Sequence, residues 1–218
     1  MKKNYLVDMA AFIIWQLPVI YFIKIYNGLP QSVPLHFGLD GKPDRYGNKE
    51  EMIWLVVLLS ALSIGVYFLI KYLPNIDPKK TARYSAEVFK KIAFALIIFL
   101  SGIEFFVINS SVTRELGFDK MLFPFMGLFF AYLGNLMHSI KPNYYVGIRT
   151  PWTLEDPDTW RATHQLGGKM WFAGGIIITI ATLFLPIEVG FMVFIISVVI
   201  IALVPVIYSY IYYKKHKQ

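Results

Sequence analysis

The sequence predicts an all-α polytopic membrane protein: six transmembrane helices, a short extracellular hairpin-like lid and an interfacial cytoplasmic helix. Three observations carry that expectation. Hydrophobic residues fill 56% of the 218 positions and charged residues only 16%, whereas soluble domains are about half apolar and about a quarter charged. The apolar residues are gathered into long runs, close to the ~20 residues that a helix needs to cross a ~30 Å hydrocarbon core. The basic residues behind the net charge of +7 bracket those runs, which fits juxtamembrane anchoring and not direct nucleic-acid binding. There are no cysteines, so disulfides, thiolate metal sites and cysteine nucleophiles are excluded.

The first apolar run, Tyr5–Ile23, follows Lys2-Lys3. No A-x-A-like cleavage site is present and Asp8 interrupts the start, so the run reads as an uncleaved helix with Asp8 near the headgroups. Pro18 inside it is tolerated because neighbouring groups in a bundle satisfy the freed carbonyl.

The connection that follows, Lys24–Glu51, is rich in turn chemistry: Asp40-Gly41, Pro43-Asp44 and Tyr46-Gly47, after a short extended run at Val33–Phe37. This is the lid. Turn hydrogen bonds using His36 and Asp44 would hold it, and His36, Phe37, Asp40, Asp44 and Tyr46 are its candidates for ligand contact. His36, Asp40 and Asp44 have no recognised metal-ligand spacing, so no metal or cofactor is expected.

The second run, Met52–Ile70, is uncharged. The basic segment to Lys91 follows, where Asp77-Pro78 reads as a helix start and Tyr84, Val88 and Lys91 share a face. This is the interfacial helix, resting on anionic lipid or docking a cytoplasmic protein.

The third run, Ile92–Ile108, holds Glu104 near its middle with Ser101 one turn before; Asn109 follows at its outer end. The fourth, Met121–Ile140, repeats Gly127, Ala131, Asn135 and Ser139 every four residues, with His138 beside that face. Glu104, Asn135 and His138 are therefore grouped as an intramembrane polar cluster, with Glu104 facing Asn135 or sharing its cavity. A structural clasp, a proton or ligand site and a lipid-facing acid are the three readings open for Glu104. The fifth run, Met170–Ile187, carries Gly174, Gly175, Thr179 and Thr182, the mark of a closely packed helix. A tight turn leads to the sixth, Val189–Tyr213, with Pro205 as a kink and tyrosines as an interfacial belt near its end.

Six spans place both termini on one side. With them lie Lys71, Lys79, Lys80, Arg83, Lys90, Lys91, Lys141, Arg149, Arg161, Lys169 and the lysines near the C-terminus, the larger share of the cations. The positive-inside rule puts that side in the cytoplasm.

Between the fourth and fifth runs lies Asn143–Lys169, dense in Arg, Trp, Thr, His and Gly. Thr150-Pro151 forces an extended step. Asp156-Pro157 reads as an N-cap and first helical residue, opening a short helix expected to run to about Leu166 and break at Gly167-Gly168. On it, Trp160 and His164 are one turn apart, with Arg161 and Gln165 on the adjacent face.

GIRTPWTL (Gly147 to Leu154), then Trp160-Arg161, Thr163-His164 and Leu166-Gly167-Gly168-Lys169, resembles the signature of the bacterial SdpI-like immunity family. Pro34, His36, Phe37, Gly38, Gly41, Pro43, Asp44, Tyr46, Gly47 and Lys49 resemble the small domain of unknown function that often precedes it. The resemblance implies two regions, 1–75 and 76–218: an N-terminal unit with the lid, and a four-helix unit carrying the signature loop. It also implies a membrane protein that protects its own cell from a secreted pore-forming peptide toxin and holds a transcriptional repressor at the membrane. The loop residues it marks are Asn143, Arg149, Thr150, Pro151, Trp152, Trp160, Arg161, His164, Gly167, Gly168 and Lys169. No catalytic fingerprint is present, so no enzyme activity is expected. A carrier organised on Glu104, or a membrane enzyme using Arg149 and His164 on lipid or peptide, are the competing readings.

Overall fold

The computed structural model describes residues 5–37, 43–76, 85–113 and 117–217. In chain order, its elements begin with α1 (Tyr5–Ile25), β1 (Ser32–Phe37), β2 (Pro43–Asn48) and α2 (Lys49–Ile76). They continue with α3 (Ala86–Thr113), α4 (Gly117–Met137), α5 (Pro151–Glu155), α6 (Pro157–Phe184) and α7 (Ile187–His216). Helices α1, α2, α3, α6 and α7 are each long and apolar enough to cross a membrane, and the apolar stretch of α4, Met121–Met137, is shorter. The protein is a polytopic all-α membrane protein. Its many exposed Leu, Ile, Val and Phe side chains on α1, α2, α6 and α7 are the surface that lipid solvates.

The chain divides into two compact units, Met1–Leu69 with Ala93–Leu122, and Ile70–Ile92 with Phe123–Gln218. Most of α3 belongs with α1 and α2 in the first of these units.

In the first unit, Phe22, Leu29, Val33, Met52, Val56 and Ile108 form the apolar core. The lid is an antiparallel ribbon with Ser32 opposite Asn48, Val33 opposite Gly47 and Pro34 opposite Tyr46; the register then shifts, ending with Phe37 opposite Pro43. An isolated two-stranded ribbon is marginal in water. This one is fastened to the bundle by fully buried Val33 and by the Ser111 hydroxyl on α3, which donates to the Pro34 carbonyl at 2.9 Å. Asp40 and the Asp40-Gly41 turn lie outside the described residues.

Polar pairs tie the three helices together. Trp15 Nε1 donates to the Ser60 carbonyl at 2.9 Å, Tyr21 to Asn109 Oδ1 at 3.1 Å, and Tyr67 to Asp8 Oδ1 at 2.6 Å. Asp8, expected at the headgroups, thus has a hydroxyl partner on α2. Val88 and Lys91 belong to α3 itself, and the Asp77-Pro78 helix start falls outside the described residues.

In the second unit, α4 and α6 approach backbone to backbone. A Cβ built on Gly175 would lie 2.4 Å from the Ala131 nitrogen, and one on Gly134 would lie 2.4 Å from the Phe172 nitrogen. The seam therefore runs through Gly127, Ala131 and Gly134 on α4, not through the expected Asn135 and Ser139, both of which are exposed. The other face of α6 meets α7, with Gly174 against Ile201.

Pro205 inside α7 has no N–H to give the Ile201 carbonyl one turn earlier. Trp171 Nε1 on α6 supplies it at 2.9 Å. Trp171→Phe keeps the ring and strands that carbonyl, so the unfolding free energy in detergent should fall by about 1–2 kcal/mol. An unchanged midpoint would mean that the carbonyl finds another donor.

Candidate functional site

The segment between α4 and α6 is held in place by its own polar side chains. Asn143 is buried and saturated: Oδ1 accepts from Tyr145 N at 2.8 Å and Val146 N at 2.9 Å, while Nδ2 donates to the carbonyls of Lys141 at 2.9 Å and Val146 at 3.1 Å. The turn it stabilises continues into Gly147, at φ 116°. His164 then closes the loop on α6. Its Nε2 accepts the Ile148 N–H at 3.0 Å and its Nδ1 meets the Trp160 carbonyl at 2.8 Å. That pattern assigns the hydrogen to Nδ1, a neutral imidazole with both nitrogens engaged by backbone. The expected pairing of Trp160 and His164 is made as a stack with centroids 4.0 Å apart, and Trp160 Nε1 donates to the Ile140 carbonyl at 2.8 Å.

Thr150 is extended, as the following proline requires, and also caps a one-turn helix that the sequence reading did not foresee. Thr150 and Thr153 cap each other reciprocally across α5, and Trp152 Nε1 donates to Ser209 on α7. Pro151 is the first residue of that turn. Lys217 Nζ, 2.8 Å from Glu155 Oε1, adds a link from the end of α7, and this hydrogen bond lowers the pKa of Glu155.

Asp156 caps α6 by accepting from Thr159 N at 2.8 Å, with Pro157 next, as the sequence predicts. The helix does not break at Gly167-Gly168 but runs on to Phe184. Both glycines are contact points instead: a Cβ on Gly167 would lie 2.6 Å from Ile148 Cδ1, and one on Gly168 would lie 2.9 Å from the Gly134 carbonyl. Chain termination is what glycine signals in water, whereas in a helix bundle it marks close approach.

The Thr159 hydroxyl, followed by backbone N–H groups, holds the Asp156 carboxyl below the usual carboxylate range. A depressed folded pKa gives stability that is fully present above the ordinary carboxylate range and lost progressively as pH falls below that range through the lower, folded-state value. Asp156→Ala should cost about 1 kcal/mol at neutral pH. Asp156→Asn should keep most of the cap and lose its acid sensitivity, as melting curves against pH would record.

The remaining cations sit outside. Arg149 is exposed and donates to the Tyr144 carbonyl, and Arg161 pairs with Asp158 at 3.4 Å. Lys169 lies on an open groove of about 500 Å³ between α4 and α6, with Asn135, His138, Gln165 and Phe172. Asn135 and His138 therefore share a cavity, within the second unit.

Glu104 belongs to the first unit and pairs with Ser60, whose hydroxyl donates to Oε1 at 2.5 Å. Glu104 is fully buried, and among the described residues neither its Oε2 nor the Ser101 hydroxyl has a hydrogen-bond partner. Sequence reasoning missed Ser60; its polar character within an apolar run was the available signal. In the lid, His36 Nδ1 and Asp44 Oδ1 are 2.6 Å apart on the exposed surface, so the two residues expected in turn hydrogen bonds bond to each other, and Tyr46 is exposed. Phe37 ends β1.

Comparison with known proteins gives the following. Residues 139–209 match the SdpI/YfhL protein family, and residues 13–61 match a domain of unknown function, DUF1648. The chain is similar to the immunity protein SdpI of Bacillus subtilis (strain 168), 27% identical over 215 residues that cover 99% of this chain and 98% of that protein. It is also similar to an uncharacterized protein of Archaeoglobus fulgidus, 39% identical over 51 residues, 23% of this chain and 26% of that protein. No solved structure matches.

Proposed function

Because residues 139–209 match the SdpI/YfhL protein family, we propose that the chain protects the cell that makes it from a secreted pore-forming peptide toxin. The observation that carries this reading is likeness to an immunity protein along 99% of the chain, lid and signature loop included. A toxin arriving from outside meets the lid, where His36, Asp44 and Tyr46 present polar and aromatic surface. The signature loop faces the cytoplasm and offers Arg149 and Arg161 as exposed cations for a repressor to be held at the membrane.

Two experiments test it. Cells with the gene should keep their membrane potential when exposed to the secreted peptides of the producing strain, and deletion cells should depolarise; equal depolarisation sinks the proposal. Because the chain has no cysteine, Tyr46→Cys and Asp158→Cys each give a single thiol for an impermeant maleimide. Residue 46 should label on intact cells and residue 158 only after permeabilisation. Labelling of both from one side rejects the arrangement.

The second reading, a carrier organised on Glu104, is favoured by its buried and unpaired Oε2. Ser60→Ala removes the donor to the other oxygen and should lower stability by about 1–2 kcal/mol. If protection survives Ser60→Ala and Glu104→Gln while solute uptake is lost, the carrier reading stands.

A further inference from the structure

Two groups of polar residues stand out around the signature loop. Asn143, Thr150, Trp152, Thr153, Trp160 and His164 all spend their hydrogen bonds inside the protein. Asn135, His138, Gln165 and Lys169 do the opposite. Each is exposed, none makes a side-chain hydrogen bond or ion pair among the described residues, and all four line the same groove between α4 and α6. Nothing about the fold requires a cation, an imidazole and two carboxamides to converge there.

We propose that this groove is a binding site for the phosphate headgroup of an anionic phospholipid. The four side chains supply donors for phosphate oxygens, and Lys169 supplies the compensating charge. The groove is graded along its length. Helices α4 and α6 run antiparallel there, with Gly134 against Phe172 and Gly127 against Thr179. The end with His138 and Gln165 therefore lies by the signature loop, and the opposite end is formed by Phe172, 49% exposed. A polar end at His138 and Gln165, with Lys169 one turn on and Phe172 beyond it along a spanning helix, has the polarity of a single lipid, headgroup first. A soluble anion would have no use for the apolar end. The inference does not depend on the immunity reading: a protein with another role could hold the same lipid.

The test is lipid retention by the purified full-length protein, measured by native mass spectrometry from neutral detergent micelles supplied with phosphatidylglycerol or phosphatidylcholine. Phosphatidylglycerol should be retained in preference, and Lys169→Gln should weaken that retention about tenfold, the loss of one charge-assisted hydrogen bond. Gln165→Leu should weaken it less. Arg161→Gln, a cation of the same helix outside the groove, should leave it unchanged, which separates the site from general surface charge. Melting midpoints near that of the parent show that the variants fold. The proposal is overturned if both lipids are retained equally, if Lys169→Gln retains as much as the parent, or if Arg161→Gln loses as much as Lys169→Gln. Displacement of the lipid by inorganic phosphate would assign the groove to a free anion and overturn it too.

Discussion

Gly147→Ala is expected to destabilise the second unit by about 2–6 kcal/mol and to abolish function at growth temperature. Two costs act at one residue. At φ 116° a side chain is strained, by about 1–3 kcal/mol. The new Cβ would also stand 2.3 Å from His164 Nε2, the nitrogen that accepts the Ile148 N–H. Neither partner can yield cheaply, because the imidazole is clamped on its other side by the Trp160 carbonyl and stacked on the Trp160 ring. Moving it leaves a buried donor unpaired, which adds about 1–3 kcal/mol. Equilibrium unfolding in detergent micelles measures the sum. The comparison with His164→Ala identifies the cause. If the strain acts through His164, the double variant Gly147→Ala/His164→Ala should be less destabilised than the two single effects added together. Strict additivity, or a parent-like stability for Gly147→Ala, would remove the histidine from the account.

Much of this site was legible before any coordinates. Asp156-Pro157 announces a helix start through short-range chemistry alone, and the structure uses both residues in those roles. Thr150 before Pro151 had to be extended, and it is. What local chemistry cannot reveal is the partner at long range. His164 reads as a candidate base until its two nitrogens are seen engaged by Ile148 and Trp160, one of them 16 positions away. The Gly167-Gly168 pair was misread because a glycine's local effect, weakening a helix, is the same whether or not a neighbouring backbone fills the space it leaves.

The first unit shows the same division. The lid's turn chemistry predicted a hairpin, and the antiparallel ribbon is there. The acid at Glu104 was visible as an anomaly in an apolar run, since burial of a carboxyl demands a partner. The sequence could not say which helix supplies it, because Ser60 lies 44 positions earlier and a serine in a spanning helix more often bonds its own backbone. Ser63, Ser110 and Thr182 do so here, each to the carbonyl four residues before. Unpaired polar atoms among the described residues then become the informative remainder of such an accounting: Glu104 Oε2 and Ser101 Oγ in one unit, Thr163 Oγ1 and the groove side chains in the other.

The seam between α4 and α6 supplies the second large effect. Within a bilayer the two helices gain little from burying apolar surface, because lipid tails are as apolar as leucine; close contact between backbones has to hold them. Gly175 is where that contact is tightest: its built Cβ would meet the Ala131 nitrogen at 2.4 Å, the Gly127 carbonyl at 2.5 Å and Ala131 Cα at 2.9 Å. All three are backbone atoms, so no rotamer change relieves the clash and the helices must separate. Gly175→Leu should therefore cost about 3 kcal/mol or more, beyond the usual range for an overpacked core position. Gly65→Ala is the internal standard, because a Cβ there meets nothing within 4 Å and the gain in helix propensity should make it neutral or stabilising by up to about 1 kcal/mol. Separation should also be visible directly. Paired cysteines at Ala131 and Thr179, one on each helix, should crosslink with a short bifunctional reagent in the parent and fail to do so with Gly175→Leu. Equal crosslinking in both would mean that the glycines of α6 do not set the distance between the helices.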